Sequence, residues 1–158
     1  MRLKMSLKNI KNLILVVFLG FLLTACATSS RKPGKDYYTG SDTIKFLASG
    51  VPDRVFFATN RSSLHSGAKG TLNKQAAYIK SSGISVVVEG HADERGTREY
   101  NLALGERRAN AVKDYLMSQG VASSKITVIS YGKERPVNPE SSRLAWSQNR
   151  RSVTVKSK

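Results

Sequence analysis

Residues Leu13 to Leu23 form an apolar run interrupted only by Gly20, and this run divides the chain before its fold can be considered. Arg2, Lys4, Lys8 and Lys11 precede it, with no acidic residue among them. At about 1.5 Å rise per residue, the run covers only about half of a ~30 Å hydrocarbon core, so it reads as an export signal rather than a permanent membrane helix. It ends in Leu23-Thr24-Ala25-Cys26, two small residues ahead of the only cysteine in the 158-residue chain. Residues 1–25 are therefore expected to be removed, leaving 133 residues, enough for one ordinary domain. One Cys, two His and 23% charged residues exclude a disulfide scaffold, a zinc ribbon and an acidic disordered chain. The leader carries four positive charges and no negative one, so the formal +15 of the whole chain becomes +11 in the remainder. Such an excess calls for an anionic partner: nucleic acid, anionic lipid headgroups and carboxylate-bearing polymers all qualify.

Residues 27 to about 50 show no sustained helical or strand period, so residues 26–52 read as an N-terminal tether and 53–158 as the domain. Arg54 to Ala58 is a β-rich run and reads as a first strand, with Asn60, Ser62 and Ser63 in the turn after it. Leu64, Ala68, Leu72, Ala76 and Ile79 then recur on one helical face that stops at Gly83. Ile84 to Glu89, with Val86-Val87-Val88 at its centre, reads as a strand buried on both faces. A polar loop from His91 leads to Thr97, a helix N-cap, and a second helix runs to Gln119 with Gly120 as its stop. Ile126 to Tyr131 and Ser152 to Val155 supply two more strands, with a short helix between them near Leu144 to Gln148. The resulting order is β-α-β-α-β-(short α)-β, an α/β sandwich with helices packed on a mixed four-stranded sheet.

One charge stands where this pattern demands apolar residues. Leu104, Val112 and Leu116 mark the inward face of the second helix, and Arg108 lies midway between the first two on the same face. A buried guanidinium must meet an acid, a set of carbonyls or an anionic ligand. An internal ion pair to Asp93 or Glu99 and an open binding cleft are the two structural solutions, and in the second Arg108→Leu is expected to leave the fold intact. Asp93 lies just past a strand end, where rigid scaffolds display binding groups, and Asn60 after the first strand adds a third polar group. Asp93 for an ammonium and Arg108 for a carboxylate would together suit the zwitterionic end of an amino acid.

Two resemblances extend this reading. Leu23-Thr24-Ala25-Cys26 resembles the lipobox of bacterial lipoproteins, which implies cleavage before Cys26, acylation there, and a stable anchor of three acyl chains. Ala27, where many inner-membrane lipoproteins have Asp, implies sorting to the outer membrane, facing the periplasm. The segment Glu89-Gly90-His91-Ala92-Asp93-Glu94-Arg95-Gly96-Thr97-Arg98-Glu99-Tyr100-Asn101, continued by Leu104-Gly105-Glu106-Arg107-Arg108-Ala109-Asn110-Ala111-Val112, resembles the OmpA C-terminal-like family in its peptidoglycan-associated lipoprotein branch. Ser130 to Pro136 and Asn149 to Val153 extend the likeness, which runs from about residue 53 to the end. The motif positions fall on Asn101, Leu104, Gly105, Arg108, Ala109, Val112 and Leu116. This resemblance implies that the diaminopimelate end of the peptidoglycan stem peptide binds between Asp93 and Arg108, beside Leu104, with Asn60 at the rim. It also implies TolB and the Tol complex as partners, and a role in envelope integrity and outer-membrane constriction during division. Residues 58–60 depart from the family pattern: Thr59 replaces an aromatic and Asn60 an Asp, so that wall loses a ring and a charge.

Neither a nucleophile with its base nor a metal-ligand set is evident, so no enzyme and no cofactor is expected, and His91 and Glu94 read as solvated loop residues. Nucleic acid would suit the charge, but export removes the chain from it. A third reading is an OmpA-like lipoprotein that uses the same pocket without TolB. Arg150-Arg151 and the terminal lysines read as solvated basic surface, and Trp146 and Tyr131 as packing residues.

Overall fold

The structure is a computed structural model and describes residues 43–157; the leader, Cys26 and the first part of the tether lie outside them. A mixed four-stranded sheet with helices on one face is its frame. The strands are β3 (Arg54–Phe56), β4 (Val86–His91), β5 (Ile126–Gly132) and β6 (Arg151–Lys156). Their order across the sheet is β3-β6-β4-β5, with β4 and β5 parallel and both other pairings antiparallel. The helices are α1 (Ser66–Ser82), α2 (Arg98–Ser118) and α3 (Arg143–Asn149). This is the β-α-β-α-β-(short α)-β architecture expected from the sequence.

Local chemistry sets the helix ends. The His65 Nδ1 accepts from the Ala68 N–H and caps α1, while Gly83 closes it in a left-handed conformation, φ 66°, donating its N–H to the Ile79 carbonyl. Thr97 caps α2 through the Tyr100 N–H, as its position after the polar loop implies. Buried residues of α1 (Ala68, Leu72, Ala76, Ile79) and α2 (Ala109, Val112, Leu116) meet Val55, Phe57, Val86 and Val88 in one core.

Two expectations change. Residues 46–52, from sequence part of the tether, contain an antiparallel ribbon of β1 (Phe46–Ala48) and β2 (Val51–Pro52). Leu47 is buried in the core, and Asp53 locks the ribbon by accepting from the Lys45 N–H and donating its own N–H to the Lys45 carbonyl. Strands of three and two residues are too short to show a period of two. The centre of β4 is also not buried on both faces: Val86 and Val88 are buried but Val87 only partly, because α1 and α2 cover one side of the sheet. On the other side Ile129 is exposed.

The join between α2 and β4 positions the site. Gly90 on β4 and Gly105 on α2 face each other with no side chain between them, and a Cβ on Gly90 would stand 2.6 Å from the Gly105 carbonyl carbon. Ser130 Oγ donates to the Leu102 carbonyl at 2.6 Å beside this contact. Helix backbone thus rests directly on strand backbone, with Asp93 following β4 and Arg108 less than one turn beyond Gly105 on α2.

Candidate ligand-binding site

A cleft of about 320 Å³ opens between the end of β4, the first turns of α2 and the loop after β3. Thr59, Asn60, Asp93, Tyr100, Leu104 and Arg108 are among the residues that line it. The four residues expected from sequence, Asp93, Arg108, Leu104 and Asn60, therefore share one concavity, of a size that suits a small ligand group.

Arg108 is wholly buried, at 0% exposure. Its Nε donates to the Arg61 carbonyl at 2.9 Å, Nη1 to the His91 carbonyl at 2.7 Å, and Nη2 to the Ala58 carbonyl at 3.3 Å. The Phe57 ring lies 5.2 Å below the guanidinium. Of the solutions open from sequence, the structure uses carbonyls: among the described residues no carboxylate pairs with Arg108. Burial, and then Arg150 nearby, lower its pKa to about 10, so it stays charged at neutral pH. The expectation that Arg108→Leu leaves the fold intact gives way to an expected loss of stability, because this side chain bonds three main-chain acceptors, two in the loop after β3 and one at the end of β4.

Asp93 is buried and heavily bonded. Its Oδ1 accepts from the Arg95 N–H at 3.2 Å and Arg95 Nε at 3.1 Å, and its Oδ2 from Arg95 Nη2 at 2.6 Å and Arg150 Nη1 at 3.3 Å. Burial alone would raise its pKa, but the Arg95 bonds, aided by Arg150, hold it below the ordinary value, so it is a carboxylate at neutral pH. Asn60 takes φ 58°, a left-handed turn conformation that Asn tolerates, and its Oδ1 accepts from the Tyr100 hydroxyl. Tyr100 thus supplies an aromatic to the cleft whose wall has Thr59.

Several contributors escape the sequence reading. Tyr100 has no role from sequence and Asn101 only a motif position; they precede Leu104 by four and three residues, so helical spacing places both on its face. Arg150 and Arg151 are not solvated: both are buried at the start of β6, an inner strand. Arg150 Nε donates to the Phe57 carbonyl at 3.0 Å and Arg151 Nη2 to the Arg135 carbonyl at 3.1 Å. Trp146 is half-buried beside the cleft rather than in the core, donating from Nε1 to Glu94 Oε1 at 2.8 Å with Arg95 stacked on its ring. Glu94 is exposed, and its bonds from Ser141 and Trp146 hold its pKa below the ordinary value. Tyr131 carries Arg135 on its face.

His91 is likewise not a solvated loop residue but the buried last residue of β4, with its ring against Tyr131. Burial, with Arg151, Arg135 and Arg54 nearby, lowers its pKa to about 3. The folded state then binds fewer protons than the unfolded state between about pH 3 and 6.5, so stability present above pH 6.5 is lost as pH falls. Urea unfolding at pH 7 and pH 4.5 should show a loss of roughly 2 kcal/mol from this one group. His91→Phe, which keeps a ring at the position, should remove that part of the slope, while the smaller share of His65, shifted the same way by burial, persists. An unchanged slope in the variant would contradict the assignment.

The OmpA family model matches residues 56–150. A protein from Mesorhizobium japonicum named peptidoglycan-associated lipoprotein is 44% identical over 154 residues, 92% of each chain. Another of that name, from Rhizobium meliloti, is 54% identical over 106 residues, 66% of this chain and 60% of its own. Among solved structures, the peptidoglycan-associated lipoprotein from Burkholderia pseudomallei is 38% identical with a TM-score of 0.65, covering 66% of this chain and 90% of that one. The C-terminal domain of Helicobacter pylori MotB, at 21% identity and TM-score 0.62 over 67% of this chain and 84% of its own, shares the fold. The matched region contains the whole cleft, from Thr59 to Arg108, and the Mesorhizobium relative aligns along nearly the full sequence: this chain belongs to the OmpA family and, within it, to the peptidoglycan-associated lipoproteins.

Proposed function

We propose that this chain is an outer-membrane lipoprotein that holds the diaminopimelate end of the peptidoglycan stem peptide non-covalently in the Asp93–Arg108 cleft. The observation that carries this reading is the state of Arg108. Its charge is buried in the cleft wall, bonded to three main-chain carbonyls and paired with no carboxylate among the described residues. A guanidinium has five N–H donors, so two remain for a ligand carboxylate. Asp93, on the same cleft, offers the opposite charge to an ammonium, and Leu104 gives an apolar surface for the methylenes between. The names of the relatives, peptidoglycan-associated lipoproteins, favour this ligand. In this reading residues 1–25 are the removed leader, acyl chains on Cys26 hold the protein in the outer membrane, and the tether reaches to about residue 45. The anchored domain then links outer membrane to cell wall within the Tol-Pal system, supporting envelope integrity and constriction at division, with TolB docking over the same surface.

Selectivity tests the ligand. A lysine-type stem peptide can offer its ammonium to Asp93 but has no second carboxylate for Arg108. Losing that charge-assisted contact should cost about 1.5 to 3 kcal/mol, a preference of roughly ten- to a hundredfold for diaminopimelate. Co-sedimentation of the full-length protein in detergent with sacculi of the two types should show this difference at physiological salt. Equal retention would mean that the wall is held by bulk positive charge.

A further inference from the structure

We infer that Arg95 is a latch on the cleft, its guanidinium occupying the place on Asp93 that the ligand's ammonium takes, so that binding requires Arg95 to leave; this rests on the ligand reading above. A carboxylate has about four acceptor positions. On Asp93 four donors are already present: the Arg95 N–H, Arg95 Nε, Arg95 Nη2 and Arg150 Nη1. An incoming ammonium must displace one of them.

The surroundings select which. Arg150 is 6% exposed and is also tied through Nε to the Phe57 carbonyl. The Arg95 N–H belongs to a loop held from two sides: Asn101 Nδ2 donates to the Arg95 carbonyl at 2.8 Å, and Lys133 Nζ to the carbonyls of Glu94 and Gly96 at 3.2 and 2.7 Å. The Arg95 side chain, by contrast, is 42% exposed. It also has somewhere to go, since its guanidinium already lies 4.3 Å from the centre of the Trp146 ring. That ring is held by its own bond to Glu94 Oε1, which Ser141 Oγ also contacts at 2.6 Å. The guanidinium can therefore slide off Asp93 while keeping a cation–π partner and a nearby carboxylate.

Two consequences follow for the ligand. An ammonium alone exchanges one cation for another on Asp93 and gains little, so a ligand succeeds by also bringing a carboxylate to Arg108. A ligand that leaves is replaced by a group already in the molecule, which keeps the attachment reversible.

Trp146 is the only tryptophan of the chain, so its emission reports on Arg95 directly. The full-length protein in detergent is titrated with a diaminopimelate-containing muropeptide, followed by calorimetry and by tryptophan fluorescence. In the wild type the emission should change in step with binding. Arg95→Gln, at an exposed position, should bind about three- to tenfold more tightly, the gain expected from removing a half-exposed competing ion pair, and should show no such emission change. Equal or weaker binding by Arg95→Gln, with wild-type binding intact, would overturn the latch and make Arg95 a bystander or a ligand contact. Wild-type binding with unchanged emission would also overturn it. Absence of binding in both proteins would overturn the ligand reading, and the latch with it.

Discussion

Gly90→Ala should destabilise the domain by about 3 kcal/mol or more and lower its melting temperature by roughly 10–20 °C, whereas Gly70→Ala should leave it as stable or slightly stabilised. Both changes add one methyl group, and only the surroundings differ. At Gly90 the new carbon meets the carbonyl oxygen, carbonyl carbon and Cα of Gly105, all main-chain atoms of α2. No rotamer change relieves a clash with backbone, so the helix must move off the sheet or the strand must bend. At Gly70, an exposed position inside α1, nothing lies within 4 Å, and Ala is the better helix former by about 0.5–1 kcal/mol. Because the Gly90–Gly105 contact joins the strand that leads to Asp93 and the helix that carries Arg108, any Gly90→Ala protein that still folds should also bind diaminopimelate peptides weakly. Thermal unfolding of the two variants beside the wild type checks the pair. Equal melting temperatures would show that the join between α2 and β4 is looser than the structure has it.

Arg108→Leu should cost about 2 to 4 kcal/mol, because it takes a charged donor from the carbonyls of His91 and Arg61 and leaves that of Ala58 with only the Arg61 N–H, at a buried position on α2. The position is apolar on either side along the helix, yet Leu supplies no hydrogen-bond donor. Arg108→Lys should recover only part of the loss, since an ammonium on a flexible stem reproduces one arm of the fork and not its geometry. The partner change Asp93→Asn should be milder, at about 1 to 2 kcal/mol, because the amide oxygen still accepts from Arg95 or Arg150. The double variant separates this account from a core ion pair. If Arg108 and Asp93 were mutual partners, removing both would restore much of the stability lost in either single variant. With carbonyls as its partners, the Arg108 cost persists in the double variant. Recovery in the double variant would contradict the hydrogen bonds of Arg108.

What could be read from the sequence was mostly local. Thr97 before α2, Gly83 after α1 and the apolar face of α1 rest on contacts within four residues along the chain, and each stands where expected. Asp93, Leu104, Arg108 and Asn60 could be brought to one cleft because a strand end, a helix face and a turn sit in a known order. Burial of charge was not readable in the same way. Arg150 and His91 look like surface residues by type, and only contacts such as Arg150 with Phe57, 93 positions away in sequence, take them inside. The ribbon of β1 and β2 escaped notice because its strands are too short for alternation and are fixed by Asp53 rather than by pattern. Arg95 stands inside the family motif, but its grip on Asp93 depends on how the loop folds back, which spacing does not encode.

The clamp itself is tested most directly by calorimetric titration of the Asp93→Asn protein with a diaminopimelate-containing stem peptide, beside a melting curve of the same sample. Asp93 is the one charged group of the cleft whose exchange for an isosteric neutral side chain leaves the Arg108 hydrogen bonds in place. The account predicts a cooperatively folded protein whose affinity falls about three- to tenfold, the charge-assisted contact to the ligand's ammonium less what displacing Arg95 already costs. A folded Asp93→Asn protein that binds the peptide as tightly as the wild type would contradict it.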